Sequence, residues 1–135
     1  MKIVLDTNTL ISALGWQGKP QDILNHCING ACTLVISPEI LKEVKEVLFR
    51  RTFEFIESSK KEELIMLLSR IAQVIIPTHK ASICRDKDDN KFVELALSSN
   101  TKYIISGDED LLSIKEYSGI KILSPDEFMS ILQNS

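Results

Sequence analysis

Short apolar runs alternate with longer helix-like segments along this chain, and no other feature constrains its fold as strongly. Each run is three or four residues long and consists mainly of branched apolar residues, so both faces of the corresponding strand would be buried. Strands of this kind are typical of the centre of a parallel sheet that helices cover on both faces. The five candidate strands are residues 3–5, 33–36, 74–76, 103–105 and 121–123.

The segments between the strands carry helix-start signals. Ser37 followed by Pro38 places a capping residue before a proline that suits the first helical position. Ser59 and Ser124 each have a glutamate three residues later, which is the spacing of a capping box. The strand–helix alternation predicts βαβ units with right-handed crossovers. We therefore expect one α/β domain over residues 1–135, with a mostly parallel five-stranded sheet.

Length and composition are those of an ordinary globular domain. The 135 residues are 44% hydrophobic and 26% charged, which is enough apolar material for one core. No apolar run approaches the roughly 18 residues that a membrane span needs, and the N-terminus has no basic segment followed by a long apolar one. Cys27, Cys32 and Cys84 form no CxxC pair, which favours reduced thiols over a disulfide framework or a zinc site. We therefore expect a cytoplasmic protein with no membrane partner.

The charge balance bears on the choice of partner. The net charge is −3 and the isoelectric point is about 5.4, which argues mildly against nucleic acid because its binding domains are usually basic. The argument loses its force if several acids converge on bound cations, since the ions would reverse the local sign of the charge.

Acidic residues follow the predicted strands at the points where ligands bind in a parallel sheet. Asp6 follows the first strand, and Asp108 and Asp110 follow the fourth. The run Asp-Lys-Asp-Asp-Asn at 86–90 begins the helix that leads into that fourth strand. Any one of these acids could simply cap a helix or favour its first turn. Three clusters at one sheet edge would repel each other strongly, and a hard divalent cation is the usual remedy.

Two further polar residues have more than one interpretation. Asn8, with its threonine neighbours, could cap a helix that starts near Leu10, or its amide could hold Asp6. Of the glutamates in the helix after the second strand, Glu43 lies closest to the apolar arc, about 40° outside it. Glu43 could therefore face a cleft, or it could be an ordinary solvated side chain.

Five segments, in a fixed order, cover nearly the whole chain. They read IVLDTNTLISAL, LVISPEILKEVKEVL, CRDKDDNKFVELAL, YIISGDEDLL and KILSPDEF. In this order and at this spacing they resemble the PIN-domain family of metal-dependent ribonucleases, in particular the toxin components of bacterial and archaeal toxin–antitoxin pairs. No single segment is specific, because hydrophobic–Asp–x–Asn is a short pattern, so the resemblance rests on the ordered set.

The resemblance implies a three-layer α/β/α fold with a central parallel sheet, and an acidic pocket that binds Mg²⁺ or Mn²⁺. It implies metal-dependent endonucleolytic hydrolysis of RNA phosphodiester bonds, leaving a 5′-phosphate and a 3′-hydroxyl. It also implies that the chain is a toxin whose partner is a small antitoxin protein, and homodimers are common in the family.

Position by position, the resemblance places the site on acids from separate parts of the chain. Counting back from Asp108 puts one family aspartate on Asn90, where the adjacent Asp89 could take over the role. The residues expected to be catalytic are Asp6, Glu43, Asp89 and Asp108; those expected to bind the metal are Asp6, Asp89, Asp108 and Asp110; those expected to support them are Asn8, Asp86, Asp88 and Asn90.

Cations around the pocket would hold an RNA backbone, although any one of them could be an ordinary solvated charge. Arg85 and Lys87 have the strongest case because they flank the acidic run, and Lys42 lies beside Glu43. Weaker candidates are Lys45, Arg50, Arg51 and Lys91.

Three other interpretations fit part of the sequence. A haloacid-dehalogenase-like phosphatase also opens with a strand and an aspartate, but its second aspartate corresponds to Asn8 here, which removes the general acid. A catalytically impaired PIN-fold module that binds RNA or protein is the main alternative, and Asn90 is the residue that favours it. A receiver-like phosphoacceptor domain needs an acid after the third strand, where VIIPTH supplies none.

Overall fold

Six strands form one sheet in the computed structural model, which describes residues 1–134. The strands are β1 (Lys2–Leu5), β2 (Thr33–Ile36), β3 (Gln73–Val74), β4 (Tyr103–Ile105), β5 (Glu116–Tyr117) and β6 (Ile120–Leu123). Their order across the sheet is β3-β2-β1-β4-β6-β5, and every neighbouring pair is parallel except β5 with β6. The mostly parallel sheet flanked by helices confirms the predicted α/β fold class.

The predicted count of five strands was wrong by one, and the buried strand predicted at 74–76 is instead the exposed edge strand Gln73–Val74. The additional strand β5 has only two residues and pairs antiparallel with β6 at the edge of the sheet. Left-handed backbone at Lys115, Ser118 and Gly119, with φ of 65°, 50° and 82°, lets the chain turn into and out of this hairpin. A polar pair of residues shaped by its turns carries no apolar period that sequence could reveal.

Residues 1–134 contain seven α-helices, of which the first six lie between strands and the last follows β6. They are α1 (Thr7–Gly15), α2 (Lys19–Ile28), α3 (Pro38–Leu48), α4 (Ser58–Ile71), α5 (Asn90–Ser99), α6 (Glu109–Leu112) and α7 (Pro125–Gln133), with 3₁₀ turns at Arg51–Phe53 and Lys87–Asp89. None of the helices described for residues 1–134 is long and apolar enough to cross a membrane.

Two of the three predicted helix caps are confirmed. The Ser37 hydroxyl accepts a hydrogen bond from the backbone N–H of Ile40 at 3.1 Å, and Ser124 forms the complete capping box with Glu127. The box predicted at Ser59 was wrong, because α4 already begins at Ser58 after the extended backbone of Glu57. Ser59 therefore lies inside the first turn, where its side chain cannot act as the cap.

The central strands and the helices that cover them form the core. Helix α5 packs against β1, β2 and β4, while α2 contacts both α1 and α7. Phe128 of α7 is fully buried, with its ring 5.7 Å from that of Tyr103 on β4. The three cysteines of the described chain are free thiols.

The strand order puts a topological switch point between β1 and β4. The chain leaves β1 toward β2 on one side, and β4 later takes the other side of β1, in a register that aligns Leu5 with Ile105. The backbone N–H of Asp6 donates to the Ile105 carbonyl at 3.1 Å, so residues that follow the two strands are direct neighbours. Parallel sheets bind ligands at this kind of point.

Candidate active site

An acidic cavity of about 190 Å³ opens at the carboxyl ends of β1 and β4. Its walls come from the starts of α1 and α5, one face of α3, and the turn after β4. The lining residues are Asp6, Thr7, Asn8, Glu43, Val47, Arg50, Asp89, Phe92 and Asp108. A neighbouring cavity of about 340 Å³ shares Asp6, Asn8 and Asp108 with it, so three polar residues lie on the boundary between the two.

Asp6 is both a helix cap and a wall of the acidic cavity. The residue is 6% exposed; its Oδ1 accepts from the Thr9 N–H at 2.9 Å, and its Oδ2 accepts from the Ser106 hydroxyl. Helix α1 therefore begins at Thr7, and the expected start near Leu10 was wrong because Asp6 itself is the N-cap. Asn8 lies exposed within the first turn on the boundary of both cavities, and Thr9 and Ser106 hold Asp6 instead of the Asn8 amide.

Ser106 connects the acids of the two strands, and sequence reasoning missed it. Its buried hydroxyl donates to Asp6 and accepts from the Asp108 N–H at 2.9 Å. Asp108 in turn caps α6, because its Oδ1 accepts from the Asp110 N–H at 3.1 Å. A small hydroxyl residue directly after an apolar strand and two residues before an aspartate is the signal that could have identified Ser106.

Asp110 does not line the acidic cavity. Its carboxylate is 48% exposed and lies 3.8 Å from the Arg85 guanidinium. The structure therefore pairs Asp110 with a cation at the rim, and it does not bring this side chain together with Asp6, Asp89 and Asp108.

Asp89 is the residue of the 86–90 run that reaches the acidic cavity. Burial, followed by the carboxylates of Asp108, Asp86 and Asp6, raises the pKa of Asp89 from 3.8 to about 6, against the opposing charge of Lys91. The three neighbouring carboxylates that act on this pKa come from separate parts of the chain. Their convergence is the electrostatic signature of an acid cluster.

The remaining residues of the run point elsewhere. The Asn90 side-chain oxygen accepts from the backbone N–H groups of Ile83 and Cys84 at 3.1 and 2.9 Å, so Asn90 is committed to the preceding segment. Of the two residues Asp89 and Asn90, Asp89 lines the cavity and Asn90 does not. Asp86 caps the 3₁₀ turn through the Asp88 N–H at 3.0 Å, and Asp88 is exposed.

Glu43 faces the acidic cavity from α3, whereas its helix neighbours Glu39 and Glu46 do not line it. The Thr7 hydroxyl donates to Oε1 of Glu43, and the Lys91 ammonium contacts Oε2. The Lys91 side chain is only 11% exposed, so its interpretation as a solvated charge was wrong, and the RNA contact stays a prediction. Its buried charge instead offsets part of the negative charge of the cluster.

The predicted substrate cations lie around the acidic cavity rather than in it. Arg85 is 86% exposed beside Asp110, and Lys87 is exposed on the 3₁₀ turn. Lys42 is also exposed, in a shallow depression on the outer side of Glu43. Arg50, a weaker candidate in the sequence, is the arginine of the cavity wall itself.

The chemistry of the wall suits a hard divalent cation, because it offers carboxylate and amide oxygens and a carboxylate whose ionised form is disfavoured by its neighbours. Among residues 1–134, however, no three carboxylate, imidazole or thiol groups stand close enough together to coordinate one ion as they are arranged here. In this arrangement Asp6 is held by Thr9 and Ser106, and Glu43 by Thr7 and Lys91. The carboxylate oxygens that could coordinate a cation line the cavity, but those of Asp6 and Glu43 make contacts within the protein.

Comparisons with known proteins bear on the whole chain. A family model described as PIN domain matches residues 2–110, a range that contains every acid of the cavity. The uncharacterized protein MJ1680 of Methanocaldococcus jannaschii is 31% identical over 140 residues, which covers 96% of this chain and 90% of that protein.

Two solved structures share the fold. PAE2754 from Pyrobaculum aerophilum has a TM-score of 0.70 at 12% identity, over 100% of this chain and 91% of that one. VapBC2 from Rickettsia felis, solved bound to a DNA fragment from their promoter, has a TM-score of 0.63 at 16% identity, over 90% of this chain and 97% of that one. With this fold, the match over residues 2–110 and an acid cluster at the switch point, the chain belongs to the PIN domain family, whose members are generally nucleases.

Proposed function

We propose that this protein is a divalent-cation-dependent endoribonuclease that acts as the toxin of a toxin–antitoxin pair. One observation carries the proposal: carboxylates from three separate segments, Asp6, Asp89 and Asp108, meet Glu43 around one cavity at the switch point of the sheet. The pKa of Asp89, raised by burial and then by the neighbouring carboxylates, supports it, because a bound cation would stabilise the ionised form against both effects.

Asp6, Asp89 and Asp108 would hold Mg²⁺ or Mn²⁺ in this proposal. When bound, the ion would screen the charge of an RNA phosphate and lower the pKa of a water molecule. Ser106 would fix the spacing of two of these ligands, since it hydrogen-bonds both Asp6 and the backbone of Asp108. Asp110 is left out of the ligand set, because its carboxylate lies against Arg85.

The other groups of the acidic cavity would orient the substrate and water. Glu43, held by Thr7 and Lys91, would accept a proton from the attacking water or orient it toward the phosphorus. Arg50 would bind a phosphate oxygen, and the exposed Asn8 amide would donate to one. Arg85, Lys87 and Lys42 would contact the RNA backbone outside the cavity.

Exposed apolar side chains support the protein partners in this proposal. Trp16 and Phe55 are 43% and 71% exposed, and the Phe53 ring lies 5.8 and 6.3 Å from theirs, which suits a small antitoxin protein. Met66 and Leu67 are exposed on α4, which would suit a homodimer. We propose a cytoplasmic setting for the complex, because the three thiols are free.

The test is cleavage of single-stranded and loop-containing RNA by the purified chain. We expect cleavage with Mn²⁺, no cleavage with EDTA, and recovery when Mn²⁺ is added in excess, with 5′-phosphate and 3′-hydroxyl ends on the products. RNA that is bound but left intact at every Mn²⁺ concentration would contradict the proposal and identify a PIN-fold binding module. Phosphate released from a phosphomonoester through an acyl-phosphate on Asp6 would contradict it in favour of the haloacid-dehalogenase-like chemistry.

A further inference from the structure

Residues 78–84, which we call the strap, lie along helix α5 without belonging to a strand or a helix. Backbone N–H groups of such a segment still need acceptors. Side chains of α5 supply them: Ser98 accepts from Thr78 and His79 at 2.9 and 3.0 Å, and Glu94 accepts from Ala81 at 2.9 Å. Helix α5 thus accepts the backbone hydrogen bonds of the strap, as a neighbouring strand would in a sheet.

Asn90 is the third acceptor side chain of α5, and it lies at the end of the helix nearest the acidic cavity. Its side-chain oxygen accepts from two successive N–H groups, those of Ile83 and Cys84. Asn90, Glu94 and Ser98 are spaced four residues apart, so the three acceptors share one face of the helix. Five N–H groups of the strap therefore depend on three side chains of one helical stripe.

The strap ends where the site begins. Cys84, anchored by Asn90, is followed directly by Arg85, whose guanidinium lies 3.8 Å from the carboxylate of Asp110 in α6. Beyond Arg85 the chain enters the 3₁₀ turn Lys87–Asp89, and Asp89 lies in the cavity wall. The anchor at Asn90 thus sets the position from which Arg85 extends across the rim.

We infer that Asn90 is a positioning residue, which holds the strap so that Arg85 presents its guanidinium to RNA phosphates at the rim of the acidic cavity. The inference rests on the proposed function for its RNA substrate. An acceptor oxygen at position 90 is what the role requires, and either an amide or a carboxylate provides one. A leucine of similar shape does not.

The test compares Asn90→Leu, Asn90→Asp, Arg85→Ala and the double variant Asn90→Leu with Arg85→Ala. The exposed Asn25→Leu of α2 is the matched control. We expect Asn90→Leu to raise KM for RNA about tenfold with kcat within about twofold, because a contact outside the reacting centre contributes uniform binding. Asn90→Asp should bring KM back to within about threefold of wild type, since it keeps the acceptor. The double variant should be no worse than Arg85→Ala alone, because both changes remove the same contact.

Three results would overturn the inference: an unchanged KM in Asn90→Leu, effects of Asn90→Leu and Arg85→Ala that add, or no recovery in Asn90→Asp. If Asn90→Leu does not fold, Glu94→Ala and Glu94→Gln make the same comparison at Ala81, and the glutamine must again recover the loss. Equal KM values for the two Glu94 variants would also overturn it.

Hydrogen exchange separates this inference from the proposed function. Amides 78–84 should exchange faster in Asn90→Leu than in wild type or Asn90→Asp, whether or not the protein cleaves RNA. A wild type that leaves RNA intact would defeat the proposed function alone. Unchanged exchange of these amides in Asn90→Leu would defeat the positioning role alone.

Discussion

Replacing Asp89 with asparagine is expected to lower RNA cleavage by at least about a hundredfold. Asp89 is the residue of its run that reaches the acidic cavity, and Asp108, Asp86 and Asp6 all act on its pKa. The substitution keeps the shape of the side chain and removes its charge, so a cation would lose one carboxylate ligand. Initial rates of RNA cleavage at saturating Mn²⁺ measure the loss.

The matched control is Asp88→Asn, one residue away in the same 3₁₀ turn. Asp88 is exposed and does not line the acidic cavity, so its loss should change the rate by no more than about threefold. Equal losses in the two variants would mean that the net charge of the run matters, and not the one carboxylate in the cavity wall.

Asp89 also makes a pH-dependent contribution to stability. Its pKa in the folded protein, about 6, exceeds its ordinary value of 3.8, so the folded state favours the protonated form. That stabilisation is complete below the lower pKa and is lost as the pH rises through the higher one. In metal-free buffer, the Tm of Asp89→Asn should therefore match that of wild type at low pH and exceed it above about pH 6. A difference in Tm that does not vary with pH would contradict this assignment.

Substitutions at Asp6 should separate its two roles. Asp6→Asn and Asp6→Ala both remove the charge, and both should lower RNA cleavage by at least about a hundredfold. The asparagine can still accept from the Thr9 N–H, whereas alanine leaves the first turn of α1 without its cap. Asp6→Ala should therefore unfold with a free energy about 1 kcal/mol lower than Asp6→Asn.

Chemical denaturation of the two Asp6 variants measures this difference directly, since neither carries the repulsion of the wild-type carboxylate. Equal stabilities would show that the cap contributes nothing. Cleavage by Asp6→Asn at the wild-type rate would remove Asp6 from the ligand set.

Much of the fold could be predicted because short runs of apolar residues determine where most of the strands form. Buried parallel strands need branched apolar residues on both faces, and that pattern located β1, β2, β4 and β6. The apolar run at 74–76 only overlaps β3, whose two residues, Gln73 and Val74, are exposed at the sheet edge. Asp6 and Asp108 were predicted as neighbours because residues that follow adjacent parallel strands meet at one edge. Strand β5 lacked such a pattern, since its turns rather than its side chains define it.

The parts of the site that sequence could not predict depend on side-chain contacts that the order of residues along the chain does not show. From sequence, an asparagine at the start of a helix could equally be a metal ligand, a cap or an anchor for another segment. Only the structure shows that the Asn90 side-chain oxygen accepts hydrogen bonds from Ile83 and Cys84 of the strap. Lys91 reads as a surface cation until Glu43, 48 residues earlier in the chain, is found against it. Ser106 likewise acquires its role from Asp6, 100 residues away.

Calorimetric titration of Mn²⁺ into the metal-free wild type, Asp89→Asn and Asp88→Asn, at a pH above the pKa of Asp89, tests whether these acids form one cation site. We expect saturable binding to the wild type and to Asp88→Asn, and affinity at least about tenfold weaker for Asp89→Asn. No binding to the wild type, or equal affinity for all three proteins, would contradict the assignment of the acidic cavity as a metal-dependent active site.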